Sequence, residues 1–199
     1  MEPAVSCARD HHLNIAVDGD IELRGVCVAD CAELYASIDS NRARLREWLP
    51  WVRDDFNPKH LLSFLDLKES ENESRVSLTT HIRYKGKLCG AIGLHNINQR
   101  DRNSSIGYWL DHEFTGRGIM TRACRALVTE GFRHYGLHRI EIRCATGNAR
   151  SSAIPRRLGF KEEGRLREAE WLYDHWVDLF VFSMLRHDWK DPEPRTGLS

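Results

Sequence analysis

Apolar positions along the chain change their period several times, and each change marks a predicted element. Residues 21–26 alternate as a strand, and residues 28–49 then carry Leu34, Ile38, Leu45 and Leu49 at helical spacings. Asn57 followed by Pro58 supplies a cap and a first helical residue. Leu61, Leu62, Phe64, Leu65 and Leu67 continue it as an apolar stripe that fades near Ser70. Three strand-like runs follow at residues 76–84, 88–97 and 104–110, joined by the turn Lys85-Gly86-Lys87 and by the polar loop 98–103, as in an antiparallel meander. After Gly118 the set Ile119, Ala123, Leu127, Val128 and Phe132 predicts a long helix through Tyr135, stopped at Gly136. Residues 139–145 read as a strand, residues 151–158 as a short helix ended by Gly159, and residues 161–172 and 175–185 as a hairpin around Tyr173 and Asp174. Pro155 fits the short helix only if that helix begins close to Ser151, because proline is tolerated in a first turn and not deeper.

The order β, α, α, β, β, β, α, β, α, β, β, without internal repeats or a low-complexity linker, predicts an α/β (α+β) fold. One mixed, mostly antiparallel sheet of about seven strands is flanked by helices. A single domain is expected over residues 1–190, with its core at about 21–186 and residues 1–12 and 190–199 as flexible tails. A chain of 199 residues with 41% hydrophobic and 29% charged residues suits that expectation.

Charge and cysteine usage narrow the function classes. Lys and Arg total 29 against 29 Asp and Glu, so the net charge is zero and neither direct nucleic-acid binding nor adhesion to an anionic membrane is expected. No window of about 18 apolar residues exists. The start, MEPAVSCARDHH, lacks the apolar core of a signal peptide, so a cytoplasmic location is expected. The cysteines Cys7, Cys27, Cys31, Cys89, Cys124 and Cys144 form no CxxC pair and read as buried free thiols. Gly136 breaks the helix that would put His134 and His138 on one face, so no metal site is expected.

The most informative local feature is TGRGIM, with Thr115, Gly116, Arg117, Gly118, Ile119 and Met120 placed between a strand and the long helix, and Thr121 next. Two glycines let main chain approach a ligand, and a helix start presents unpaired N–H groups and partial positive charge, which together suit a pyrophosphate. A tight strand-to-helix turn is the alternative. The segment is not a P-loop, because the Lys and Ser/Thr after the second glycine are absent, and it does not complete GxGxxG.

GYWL at residues 107–110, GRGIM, NARSSAIPRRLGF at 148–160 and EGRLREAEWL at 163–172 together resemble the GCN5-related N-acetyltransferases (GNAT). Within them the chain is similar to the RimL/RimJ type, which acetylates the N-terminal amine of ribosomal proteins. The resemblance runs from about Ile21 to Arg186 and includes LREWLPW at 45–51. It implies acetyl-CoA as co-substrate, no metal, splayed central strands and an acyltransferase activity. Relatives are often dimers, so a homodimer is a further expectation. The broad superfamily's phosphate loop reads Gln or Arg, x, x, Gly, x, Gly or Ala; here Thr115, Gly118 and Met120 hold those slots, and only the glycine matches. Backbone amides do most of the holding, so the motif is weakened without losing its physics.

Many members place a thiolate-protonating tyrosine seven residues after the asparagine of the N…GF block, where this chain has Pro155. RimL-like members instead carry a serine proposed to bond the coenzyme sulfur, and Ser151 fills that slot; its alternative is a helix cap. Glu170 matches the glutamate proposed as general base, which must deprotonate the amine because an ammonium has no lone pair. An exposed strand glutamate is its alternative, with Glu168 on the same face, and then Glu141, as substitutes. Trp109 and Leu110, with Tyr108, end the strand whose free N–H groups would stabilise the oxyanion. Asn148 would bond the pantetheine amide or else simply start a turn. Arg46, Glu47, Trp48, Trp51 and Trp171 match the acceptor cleft, although Trp48 and Trp51, three apart, also suit core packing if Pro50 lets the helix continue.

The acceptor expected from the resemblance is a protein N-terminus, Ser or a similar small residue. Small amines such as aminoacyl-nucleotide antibiotics are the alternative. A non-catalytic acyl-CoA sensor is a reading from another class, prompted by Thr115, Met120 and Pro155.

Overall fold

The computed structural model describes residues 13–191. Eight strands, β1 (Asn14–Ala16), β2 (Ile21–Gly25), β3 (Leu78–Tyr84), β4 (Lys87–Asn98), β5 (Asn103–Leu110), β6 (Arg139–Ala145), β7 (Lys161–Leu172) and β8 (His175–Leu185), form one sheet in the order β1-β2-β3-β4-β5-β6-β8-β7. All neighbours pair antiparallel except β5 with β6. The helices are α1 (Cys31–Ser40), α2 (Arg42–Arg46), α3 (Pro58–Glu73), α4 (Ile119–Arg133) and α5 (Ala149–Arg157).

Three features correct the sequence expectation. The sheet has eight strands and not about seven, because β1 is too short to show a period; pairing with β2 and the 2.7 Å bond from the Gly25 N–H to the Leu13 carbonyl hold it. The single helix expected over 28–49 is a 3₁₀ turn, α1 and α2. Buried Asn41 breaks it by donating to the Ser37 carbonyl at 2.8 Å while its Oδ1 accepts the His112 N–H at 2.9 Å. Helix α5 begins at Ala149, which puts Pro155 at its seventh position, beyond a first turn. Proline has no N–H for the Ser151 carbonyl four residues earlier, and the Tyr108 hydroxyl donates to that carbonyl instead, at 3.0 Å.

The other elements form for the reasons the pattern gave. Asn57 Oδ1 accepts the N–H groups of Lys59 and His60 at 2.9 and 3.3 Å, with Pro58 first in α3. Helix α4 buries Ile119, Ala123, Leu127, Val128 and Phe132 on one face of the sheet together with Ile154 of α5 and Leu158 just after it. A second core, with Leu34 and Ile38 of α1 and Leu61 and Leu65 of α3, covers the other face. Each fully buried Leu or Ile contributes about 1.5–3 kcal/mol. Alternation along β5 then splits neighbours between the cores: Trp109 packs on the α1–α3 side, Tyr108 and Leu110 on the α4 side.

Cys31, Cys89, Cys124 and Cys144 are buried free thiols, Cys27 is buried, and burial pushes the Cys89 thiol up to about 12. Cys7 lies outside the described residues, as do the expected tail 1–12 and all but residues 190 and 191 of the expected tail 190–199. Asp191, counted with the second tail from the sequence, is ion-paired to Arg133 and Arg186, and Trp189 before it is buried. No helix among the described residues is long and apolar enough to cross a membrane.

Candidate active site

Strands β5 and β6 pair in parallel only from Asn103↔Arg139 to Ile106↔Ile142. Past that point β5 stays with β4 as far as Leu110, while β6 stays with β8 as far as Ala145, so the sheet opens into a V. The Asp111 N–H donates to the Cys89 carbonyl at 2.8 Å, and a Cβ built on Gly90 would lie 2.3 Å from the Trp109 carbonyl oxygen. Trp109 and Asp111 therefore turn their main chain toward β4. By alternation the peptide groups of Tyr108 and Leu110 face the gap.

Gly118, at φ +70°, turns the chain from this strand into α4 in a left-handed conformation that side chains disfavour. It brings no capping side chain, which leaves the N–H groups of Ile119, Met120 and Thr121 without intrahelical partners at the positive end of the helix. The loop is braced from behind: Thr115 Oγ1 donates to the His112 carbonyl at 2.9 Å, and Arg122 binds Asp18 at 2.6 Å. Asp111 accepts from Ser37 at 2.9 Å, which ties the loop's start to α1.

A cleft of about 1370 Å³ runs from this helix start through the V to β7. Of the residues expected from sequence, Trp109, Leu110, Thr115, Gly116, Gly118, Ile119, Met120, Thr121, Asn148, Ser151, Glu170, Glu47, Trp48 and Trp51 line it. Arg117, Arg46 and Trp171 do not. Arg117 turns back over the Phe114 ring at 5.7 Å. Arg46 stacks on the Tyr173 ring at 4.0 Å and binds Asp54 at 2.7 Å, so it braces the hairpin tip. Trp171 is exposed and meets Trp176 edge-on at 5.1 Å.

Trp48 and Trp51 reach the cleft without sharing a helix, since α2 ends at Arg46 and Pro50 lies in a run of turns. Trp48 presses its ring edge on Gly147, where an added Cβ would meet it at 3.3 Å. Tyr173 fixes this segment by sharing its one hydroxyl hydrogen between the carbonyls of Leu49 and Val52, at 2.5 and 3.0 Å.

Glu170 pairs with Val177 in the strand ladder and is half-buried; its carboxylate makes no hydrogen bond or ion pair with any described residue, and burial alone raises its carboxyl above its ordinary value. The two substitutes are elsewhere. Between Leu166↔Leu179 and Glu170↔Val177 strand β7 bulges, and Glu168, at φ +47°, sits in the bulge with its N–H on Asp178 Oδ1 at 2.6 Å. It therefore does not share the Glu170 face. Glu141 is paired with Arg139 and Arg143, which hold its carboxyl below the usual range against the opposing effect of burial.

The helix-cap alternative for Ser151 is also corrected. Asn148 is the cap, its Oδ1 accepting the Ser151 N–H at 3.0 Å, and Ser151 is the third helical residue. Its hydroxyl donates to the Tyr108 hydroxyl at 3.2 Å and lies 3.2 Å from Cys144 Sγ. Burial places the Tyr108 phenol well above its ordinary value and raises the Cys144 thiol. These two side chains were missed from sequence, where Cys144 reads only as an apolar strand residue and Tyr108 only as a source of main chain. Their positions, inward on two strands that separate, are the signal that could have found them. Among the described residues no cluster of three His, Cys, Asp or Glu could hold a metal ion.

A splayed pair of strands with free peptide groups, beside an uncapped helix start on a glycine loop, defines an acyl-CoA-dependent acyltransferase site. Residues 20–161 match the family model of the acetyltransferase (GNAT) domain, and the chain belongs to that family. It is 35% identical to the putative ribosomal N-acetyltransferase YdaF of Bacillus subtilis (strain 168), over 87% of this chain and 96% of that protein. It is 27% identical to the ribosomal-protein-serine acetyltransferase of Escherichia coli (strain K12), over 86% and 96%. Its fold is similar to the microcin C7 self-immunity acetyltransferase MccE in complex with acetyl-CoA and AMP (TM-score 0.81, 30% identity, 85% and 94% coverage). It is also similar to RimL, the ribosomal L7/L12 alpha-N-protein acetyltransferase, in complex with coenzyme A (TM-score 0.84, 26% identity, 86% and 97% coverage). The protein is an acetyl-CoA-dependent N-acetyltransferase of the RimL type.

Proposed function

We propose that the protein acetylates an α-amino group, in the first place the N-terminus of a ribosomal protein beginning with Ser or a similar small residue. The observation that carries the chemistry is Glu170: an unpaired, half-buried carboxylate with a raised pKa, lining the same cleft as the V and Ser151. Glu170 takes the proton from the acceptor ammonium, directly or through one water, and the neutral amine attacks the thioester carbonyl without a covalent enzyme intermediate. The Leu110 and Tyr108 peptide groups facing the gap stabilise the negative charge on the carbonyl oxygen. Ser151 hydrogen-bonds the departing coenzyme sulfur. The N–H groups of residues 118–121 hold the pyrophosphate, and Asn148 pairs with the pantetheine arm. Glu47, Trp48 and Trp51 form the acceptor side of the cleft, where a carboxylate and aromatic faces suit a cationic amine on an extended peptide.

The two ribosomal-protein relatives support the N-terminal acceptor. The likeness to MccE, together with Trp48 and Trp51 as stacking surfaces, supports acetylation of an aminoacyl nucleotide as the second reading. Coenzyme A release from acetyl-CoA, followed with a thiol reagent, separates them. The acceptors are a Ser-initiated ribosomal N-terminal peptide, the same peptide with a blocked amine, and an aminoacyl-nucleotide analogue. Release with the free peptide alone is expected. Release with the analogue alone moves the function to detoxification, and tight acetyl-CoA binding without release for any acceptor favours an acyl-CoA sensor.

A further inference from the structure

Pro155 and Tyr108 lie far apart in sequence but meet at one peptide group. Inside α5 the Ser151 carbonyl would ordinarily accept the N–H of residue 155, and proline has none to give. A carbonyl left bare in this partly buried place is unfavourable, and the Tyr108 hydroxyl reaches across from β5 to fill it at 3.0 Å. The same hydroxyl oxygen accepts the Ser151 side-chain O–H at 3.2 Å. A tyrosine has a single hydrogen to donate, so its donation to the carbonyl fixes the direction of the second bond. Ser151 Oγ, having given its hydrogen to Tyr108, then takes the Cys144 thiol, at 3.2 Å, as a donor. The result is one directed chain from Cys144 Sγ to Ser151 Oγ to Tyr108 Oη to the Ser151 carbonyl, and all three residues line the cleft.

We infer that Tyr108 is a positioning residue for Ser151, installed there by Pro155: it holds both the main chain and the hydroxyl rotamer of the serine that faces the coenzyme sulfur. The inference rests on the Ser151 role proposed above. When Ser151 turns its hydrogen to a sulfur gaining negative charge, the 3.2 Å contact with Tyr108 reverses: the tyrosine swings its one hydrogen from the Ser151 carbonyl to Ser151 Oγ, and the carbonyl is without that donor for the duration of the step. Two O–H bonds rotate, no proton changes owner, and Ser151 Oγ then accepts from both Tyr108 and Cys144, which strengthens it as a donor to sulfur. Phenylalanine at 108 would remove both contacts at once. Alanine at 155 would restore the helical N–H and satisfy the carbonyl without restoring the contact between hydroxyls. The pair Tyr108→Phe and Tyr108→Phe/Pro155→Ala therefore separates a scaffold role from a positioning one.

The experiment uses the full-length chain with coenzyme A itself as probe, so it needs no acceptor. The pKa of the bound coenzyme thiol is read from thiolate ultraviolet absorbance, and thermal stability is measured alongside. Tyr108→Phe is expected to lower the melting temperature and raise the bound thiol pKa. Adding Pro155→Ala restores the melting temperature while the thiol pKa stays raised, by a shift similar to that of Ser151→Ala. In the Ser151→Ala background Tyr108→Phe adds nothing further. Turnover, measured with whichever acceptor supports release, falls about 10-fold for Tyr108→Phe/Pro155→Ala at unchanged KM for acetyl-CoA.

A wild-type thiol pKa in Tyr108→Phe/Pro155→Ala, with Ser151→Ala still shifted, overturns the inference and leaves the Ser151 role standing. A wild-type thiol pKa in Ser151→Ala overturns the Ser151 role and the inference with it. Additive shifts in Tyr108→Phe/Ser151→Ala overturn the route through serine.

Discussion

The wall made by β5, the glycine loop and α4 presents mainly peptide groups to the cleft, and the side chains behind it, such as Ile119, Ala123 and Leu127, are buried in a dry core. The opposite wall presents side chains. Its tip is held by Tyr173 reaching carbonyls 121 and 124 residues away, and Trp51, which lines the cleft beside Trp48, is 40% exposed. The contrast fits the chemistry proposed above for each wall. A pyrophosphate, a pantetheine amide and an acyl oxygen are the same in every turnover and suit rigid N–H groups, which are already oriented before reaction. An acceptor differs between relatives and suits aromatic surfaces whose neighbours can change without unfolding the sheet.

Glu170 stands where the two walls meet, and its replacement has the largest expected effect. Glu170→Gln should lower turnover by about 10²–10⁴-fold while acetyl-CoA affinity, read by calorimetry, stays at the wild-type value. The base works only when deprotonated, so kcat/KM should rise with pH through an inflection above the ordinary value of a glutamate, since burial favours the protonated form. That inflection should vanish in Glu170→Gln. Persistence of the inflection, or unchanged turnover, would remove Glu170 from its role.

Gly118→Val attacks the peptide wall alone. A branched side chain at φ +70° strains the start of α4 by about 1–2 kcal/mol and misdirects the N–H groups of residues 119–121. Acetyl-CoA binding should weaken about 10-fold or more on the affinity this corresponds to, with the acceptor KM little changed. Equal loss on both substrates would show that the walls are not independent.

How much of this was legible in the sequence depends on the range of the interactions. The glycine loop, α3, α4, β6 and the closing hairpin could be read because their signals lie within one element: a cap, a period, a stop. The break at Asn41 could not, because its cause is the N–H of His112, 71 residues on. Sequence left Ser151 open between a bond to the coenzyme sulfur and a helix cap, and Asn148, three residues earlier, is the cap, which leaves the serine hydroxyl free of that task. Arg46 and Trp171 lie in the right blocks but point away from the cleft, and facing is set by the contacts of Tyr173 and Trp176. Glu168 was excluded only by the bulge, since unbroken alternation would have put it beside Glu170.

That bulge gives a prediction of intermediate size. Asp178 holds it, accepting the Glu168 N–H at 2.6 Å and the Arg165 guanidinium, and both bonds keep its carboxyl below the usual range. Asp178→Asn weakens both bonds, so Glu170, two residues beyond, loses its fixed register. Turnover should fall about 5-fold, on the order of one lost hydrogen bond. Acetyl-CoA affinity should hold, because both side-chain bonds of Asp178 go to residues of β7. A fall in affinity without a fall in turnover would contradict this division.

The smallest effect is expected from Tyr173→Phe, which tests the side-chain wall at its anchor. The substitution keeps the ring under Arg46 and removes the hydroxyl that donates to the Leu49 and Val52 carbonyls. Val52 is fully buried, but its carbonyl also accepts the Arg46 guanidinium at 3.3 Å and Leu49 is only partly buried, so the loss should be about 0.5–1.5 kcal/mol. It should appear as a modest drop in melting temperature and a 2- to 5-fold rise in acceptor KM, about the rise that such an energy allows when it loosens Trp48 and Trp51. Acetyl-CoA affinity and the inflection from Glu170 should not move, because the Tyr173 hydroxyl and ring serve Leu49, Val52 and Arg46 in the segment after α2. A change in acetyl-CoA affinity would mean that the tip also supports the peptide wall, and the two walls would then have to be treated as one.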